Sequence, residues 1–368
     1  MKLLIGVSVS FILLTLATIV GLYNIRSSSS QQTNHRSNRK FQIPIFVSET
    51  GIYLAKIKVG QPPQWFDVQL DTMNADFWLV DSTCDSVQCI GRNLRKHRFN
   101  CSDSKTCQSN GTKFLIEYEG HGVEGILAQD DMTINEMIVP KVGFGRGILL
   151  NQYFGPIALD GIMGIGLPES SQTGIKSPLQ RAMEMVSDSM LTLWLNREGG
   201  LLTLGDDNRN CDSKWTFSKT KGRGYWQLEL TKFSMSDFTS GIADVILDIA
   251  TDFIHAPTNI FTEIVERLNA THVKDYDIYV VSCKTIESAP PLKFNIGGKL
   301  FSVPSISYIQ DLNFGKGLCA VCIRDSAIRD PQNRWLFGKP FLSDNHCTAF
   351  DFERRQIGFT KVKNKSNH

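Results

Sequence analysis

At 368 residues the chain is long enough for two domains with sizeable cores. Its 42% apolar and 21% charged content is that of a globular protein, and 39 basic against 37 acidic side chains leave only +2, which offers no basis for binding nucleic acid. No heptad or solenoid period runs through it, and short β-branched and aromatic runs punctuated by Gly, Asn, Asp and Pro point to a mostly β fold.

The chain opens on a targeting segment. Lys2 precedes an apolar run over 3–23, and Thr15-Leu16-Ala17 supplies the small residues that precede a cleavage point. Residues 1–23 therefore read as a signal peptide, or as an uncleaved anchor, since the run is just long enough to span a bilayer. Membrane attachment is expected only in the second case. Residues 24–40 are polar, serine-rich and basic, the pattern becomes strand-like from Phe41, and 24–45 is expected to be a disordered linker or vestigial prosegment. Export also fits four sequons, at Asn100, Asn110, Asn269 and Asn364, and nine cysteines. Cys84 and Cys89, like Cys101 and Cys107, are close enough to join in small local loops. Cys211, Cys283, Cys319, Cys322 and Cys347 leave one over. The C-x-x-C at Cys319 and Cys322 is half of a zinc motif or, more simply, a disulfide cysteine beside a free thiol.

Residues 52–59 alternate as a strand, and Gly60-Gln61-Pro62-Pro63 turns the chain into a second, 66–70, that ends at Asp71-Thr72. Residues 77–80 (FWLV) are a more buried run. Residues 114–118 lead to a hairpin tip at 119–122, and 123–127 return with a bulge at Gly125. Gly143-Phe144-Gly145-Arg146-Gly147 lacks the spacing and lysine of a phosphate loop and reads as a turn. Residues 160–166 (DGIMGIG) should be deeply packed backbone. A helix is expected over 178–186 and a hairpin over 191–204. The polar stretch 208–224 marks the boundary between an N-terminal lobe, 46–215, and a C-terminal lobe, 216–368. In the second lobe 245–247 lead into Asp248, a helix follows over 258–268, a hairpin spans 292–303, and Trp335-Leu336-Phe337-Gly338 repeats the pattern of Ile162-Met163-Gly164. The spacing repeats too: 164 − 71 = 93 residues against 338 − 248 = 90. Two lobes of one design, each with an Asp on a turn, would bring two carboxylates to a shared cleft.

These stretches in order, FDVQLDT with FWLV, IEYEGHGVEG, DGIMGIG, YWQ, VILDIAT with APTN, WLFG and AFDFERRQIGF, resemble the pepsin-like aspartic endopeptidases, especially cathepsin-type and nematode members. The likeness runs from about Gly51 to Phe359. It implies a bilobal β protein, monomeric and free of metal or other cofactors, with a peptide or unfolded protein in the interlobe cleft. It implies Cys84–Cys89, Cys211–Cys347 and Cys283–Cys319 bonds, with Cys101–Cys107 as a local extra and Cys322 unpaired. Asp71 and Asp248 would be the catalytic pair, sharing one proton because like charges so close cannot both ionise, as in aspartic proteases generally. Tyr118 would be the flap tyrosine, with Gly120 and His121 at its tip and Trp78 behind it. Location in the secretory pathway, extracellular or lysosomal, follows.

The turns depart from the family's Asp-Thr-Gly-Ser/Thr. Here they read Asp71-Thr72-Met73-Asn74 and Asp248-Ile249-Ala250-Thr251. Met73 puts a long side chain where glycine leaves room for substrate, and Ala250 adds a methyl. Thr72 remains, but Ile249 lacks the hydroxyl for the reciprocal bond, a loss of roughly 1–3 kcal/mol if a buried partner is stranded. Asn74 and Thr251 are positioned to hydrogen-bond Asp71 and Asp248. Glu119 and His121 add charge to the flap, Lys339 stands where the family has an acid, and the prosegment is short or missing. An aspartic endopeptidase of reduced activity is expected. The alternatives are an inactive pseudoprotease, a secreted glycoprotein that binds peptides or proteins, and a purely structural glycoprotein.

Overall fold

The computed structural model describes residues 41–363 except 50, 92–94, 119, 136, 187–188, 206–208, 313–314, 316 and 345. The signal segment, the linker up to residue 40, Glu119 and the sequon at Asn364 lie outside the described residues. Among those described, no helix is long and apolar enough to cross a membrane.

The fold is mostly β and bilobal, and its logic is set by the two Asp turns. Strand Gln64–Asp71 pairs in parallel with Gly161–Gly164, bringing Asp71 opposite Gly164. Gly161–Gly164 also pairs antiparallel with Phe77–Val80. The second half repeats the device: Ala243–Leu247 runs parallel to Trp335–Phe337, which pairs antiparallel with Ile254–Ala256. Glycine is needed where the strands close on the turns. A Cβ at Gly164 would lie 2.5 Å from the Asn74 carbonyl oxygen, and one at Gly338 2.3 Å from that of Phe253. This is the physical content of the apolar-Gly repeat.

The halves are tied by one sheet. Phe41–Val47, which begins inside the segment read as linker, pairs with Gly199–Leu204, and Met190–Asn196 extends that pairing to His346–Asp351 near the C-terminus. Thr216–Lys219 joins this sheet through Gln356–Lys361. The Cys211–Cys347 disulfide fastens the same region across 136 residues of chain. In the chain-entropy view a loop of that size is worth about 5 kcal/mol. Cys84–Cys89, Cys101–Cys107 and Cys283–Cys319 also close. Cys322 stays a free, buried thiol, its pKa pushed up to about 12 by desolvation.

The long hairpin differs from expectation. His121–Ile134 pairs with both Lys113–Tyr118 and Met137–Leu150, and the register slips between Glu124 and Gly125, the expected bulge. Residues 143–147 are therefore strand, not turn. Their glycines serve packing: a Cβ at Gly145 would lie 2.5 Å from the Phe114 ring, and one at Gly143 2.7 Å from Ile175. The helix expected over 178–186 is Pro178–Met183, opened by a Ser177–Gln180 capping box and finished by a tighter turn through Val186. The helix expected over 258–268 is Thr258–Arg267, and it buries Ile260 and Ile264.

Candidate active site

Both acids sit on the turns the sequence marked. Asp71 is 5% exposed and Asp248 fully buried. The Met73 amide donates to Asp71 Oδ1 at 2.7 Å, and the Ala250 amide donates to Asp248 Oδ1 at 2.9 Å, so each turn holds its own carboxylate by the same bond. The turns are locked from one side only. The Thr72 hydroxyl donates to the Leu247 carbonyl at 2.8 Å and accepts from the Ile249 amide at 3.1 Å. Ile249 returns no such bond; its side chain is 1% exposed and packs into the core.

Support from the next residues takes another form than expected. Asn74 reaches Asp71 through its backbone amide, while its side-chain oxygen accepts from the Asp76 amide at 2.9 Å. The Thr251 hydroxyl lies 3.2 Å from His255 Nε2 and accepts from the Phe253 amide at 3.3 Å. Lys339 is turned away from the dyad: it pairs with Asp252 and donates to the Gly51 carbonyl at 2.5 Å.

Burial pushes the Asp71 carboxyl up to about 7, and the charge of Asp248 adds to the rise, against the pull of the Met73 and Asn74 amides and of Arg329. That rise, with the Arg329 cation beside Asp248, favours Asp71 as the member that holds the shared proton in acid. The consequence for stability has a definite sign. An unfolded Asp releases its proton near 4, while the folded one holds it to about 7, so this group's contribution is complete below 4 and is lost as pH rises through 7. Asp71→Asn, which needs no proton, should melt a few degrees above wild type at about pH 7, with the gap closing near pH 4 in a thermal-melt series.

The residue the sequence reading missed is Arg329. Its guanidinium Nη1 lies 3.0 Å from Asp248 Oδ2, inside the cleft, with the side chain about a quarter exposed. Nothing in the local sequence announces this, because Arg329 lies 329 − 248 = 81 residues from its partner in a polar turn. His255 was also missed. It is 1% exposed, and burial first, then the nearby charges of Arg329 and Arg324, lower its pKa to about 3, so it stays neutral.

The cleft measures about 880 Å³ and is lined by both acids, Met73, Ala250, Thr251, Tyr118 and His121 among others. Tyr118 OH accepts from the Trp78 indole N–H at 2.9 Å, and burial with the neighbouring Asp71 raises its phenol pKa. Gly120 takes φ +83° at the tip, and His121 stacks flat on Tyr153 with centroids 4.4 Å apart. The arrangement presents two buried carboxylates in a cleft that Tyr118 and His121 of the hairpin also line. A pair of carboxylates of which one is protonated can in principle act as general base and general acid.

Comparison with known proteins agrees with this geometry. The model of the eukaryotic aspartyl protease family matches residues 52–362. The chain is similar to Aspartic protease 1 of Caenorhabditis elegans, 31% identical over 85% of this chain and 83% of that protein. It is 30% identical to Aspartic protease 17 of the same organism, over 87% and 85% of the two chains. Cathepsin D of Clupea harengus is 28% identical, over 84% and 81%. The chain belongs to the eukaryotic aspartyl protease family.

Proposed function

We propose that this protein is an aspartic endopeptidase of reduced turnover that cuts extended or unfolded polypeptides in an acidic, oxidising compartment, lysosomal or extracellular. The observation that carries the reading is the pair of buried acids, each held by the amide two residues on, with burial pushing the Asp71 carboxyl up so that it favours its protonated form. In that state Asp248 accepts a proton from the attacking water while Asp71 gives its proton to the scissile carbonyl oxygen, so the pair stays charge-balanced through the addition. The disulfides support an oxidising location. Reduced turnover follows from Arg329: a permanent cation 3.0 Å from Asp248 opposes the step in which that carboxylate gains a proton. Met73 adds bulk beside Asp71.

The same ion pair favours a second reading, a peptide-binding pseudoprotease. The two are separated by incubating purified protein with an unfolded substrate at about pH 5, where a carboxyl titrating near 7 is still protonated. Slow cleavage that disappears in Asp71→Asn supports the endopeptidase. Peptide binding without cleavage would establish the pseudoprotease instead, and neither would refute both.

A further inference from the structure

Among the described residues, most acids of the cleft are met by cations, whereas not every cation of the cleft is met by an acid. Asp248 is met by Arg329, Asp252 by Lys339, and Glu169 by both terminal nitrogens of Arg355. Arg324 is different. It stands on strand Ile323–Asp325, which runs parallel to Ile254–Ala256 and sets Arg324 opposite His255. Its guanidinium carbon lies 4.2 Å above the Phe253 ring, and its Nε is buried without a hydrogen-bond partner among the described residues. A buried donor left unmatched is costly, and packing against an aromatic face restrains a guanidinium. Arg324, Arg329, Phe253 and His255 all line the cleft, Arg329 beside Asp248, and the charges of both arginines act on His255 to lower its pKa.

We propose that Arg324 and Arg329 form a subsite for a carboxylate of the bound peptide, and that this carboxylate draws Arg329 off Asp248. The proposal rests on the endopeptidase reading and gives it a substrate class: peptides that carry an acidic side chain or a free C-terminus next to the bond in the cleft. The planar fork of arginine suits a carboxylate, and such charge-assisted bonds are the strong ones. A neutral peptide leaves Arg329 on Asp248, whereas an acidic one supplies a replacement partner and frees the base. Substrate recognition and activation are then one event.

The test uses the whole protein at about pH 5, where a peptide Glu is mostly ionised. Amidated peptides with an internal Glu stepped through the sequence are compared with their Gln counterparts, and with a neutral peptide ending in a free carboxylate. Binding and cleavage are both measured. The expected result is at least about tenfold tighter binding of a Glu peptide at one position, equivalent to about 1.4 kcal/mol, together with faster turnover of the bound peptide. Arg324→Gln should erase the preference in binding, and Arg329→Gln should erase the difference in turnover. A preference confined to the free C-terminus would support the subsite and place it at the end of the substrate. Equal affinities for every Glu and Gln pair in the wild-type protein, a result that needs no variant to fold, would overturn the subsite while leaving the endopeptidase reading intact. No binding or cleavage of any peptide would overturn both.

Discussion

Asp71→Asn and Asp248→Asn are each expected to lower the single-turnover rate of peptide cleavage by about 10²–10⁴-fold, the range that a positioned acid or base supplies. The two changes act differently at the atomic level. An amide at 71 still accepts from the Met73 amide at the oxygen that now lies 2.7 Å away, so the turn keeps its shape. It has no acidic proton to give the carbonyl oxygen. An amide at 248 likewise keeps the Ala250 bond, but it cannot take the proton of the water. Because the acids work as one unit, the double variant should be scarcely slower than either single one. Quenched-flow measurement with excess enzyme isolates the chemical step, and folded controls come from the thermal melts already described.

Arg329→Gln is expected to change the rate in the opposite direction, raising turnover of neutral peptides by about tenfold or more, which corresponds to ~1.4 kcal/mol off the barrier. A pair of unit charges 3.0 Å apart interacts strongly even where water partly screens it, and this pair is only a quarter exposed on the arginine side. Relieving it lets Asp248 accept the proton of the water. A second effect has a worked-out sign. Arg329 is among the groups that lower the Asp71 pKa, so its removal lifts that carboxyl further above its present value of about 7. The alkaline edge of the pH–rate profile should therefore move upward in the variant. A glutamine at 329 that leaves both rate and edge unchanged would mean that the ion pair does not govern the chemistry.

The fold was legible because its constraints are local. The alternation into Asp71, its copy into Asp248, and the glycines at 164 and 338 each encode a close approach that can be read one turn at a time. The cysteine pairing followed the family pattern, and the bulge at Gly125 announced itself. What escaped depends on contacts between distant segments. Residues 143–147 look like a turn because glycine is rich there, yet those glycines make room for Phe114 and Ile175, which their own neighbours do not reveal. Asn74 and Thr251 stand close in sequence to the acids, but their side chains bond elsewhere, to the Asp76 amide and to His255. Arg329 is the clearest case. Its place beside Asp248 is fixed by the pairing of Ile323–Asp325 with Ile254–Ala256 and by the short turn Ser326–Ile328 that follows. None of these is visible from the residues around either charge.

An assembled dyad restrained by Arg329 is tested most directly by calorimetric titration of a peptide inhibitor that carries a hydroxyl in place of the scissile carbonyl, a mimic of the tetrahedral intermediate, at about pH 5. Such mimics report how well the site fits the transition state. The expected result is measurable binding to wild type, binding about tenfold tighter to Arg329→Gln, and binding at least about tenfold weaker to Asp71→Asn. Equal affinity for all three proteins would contradict it.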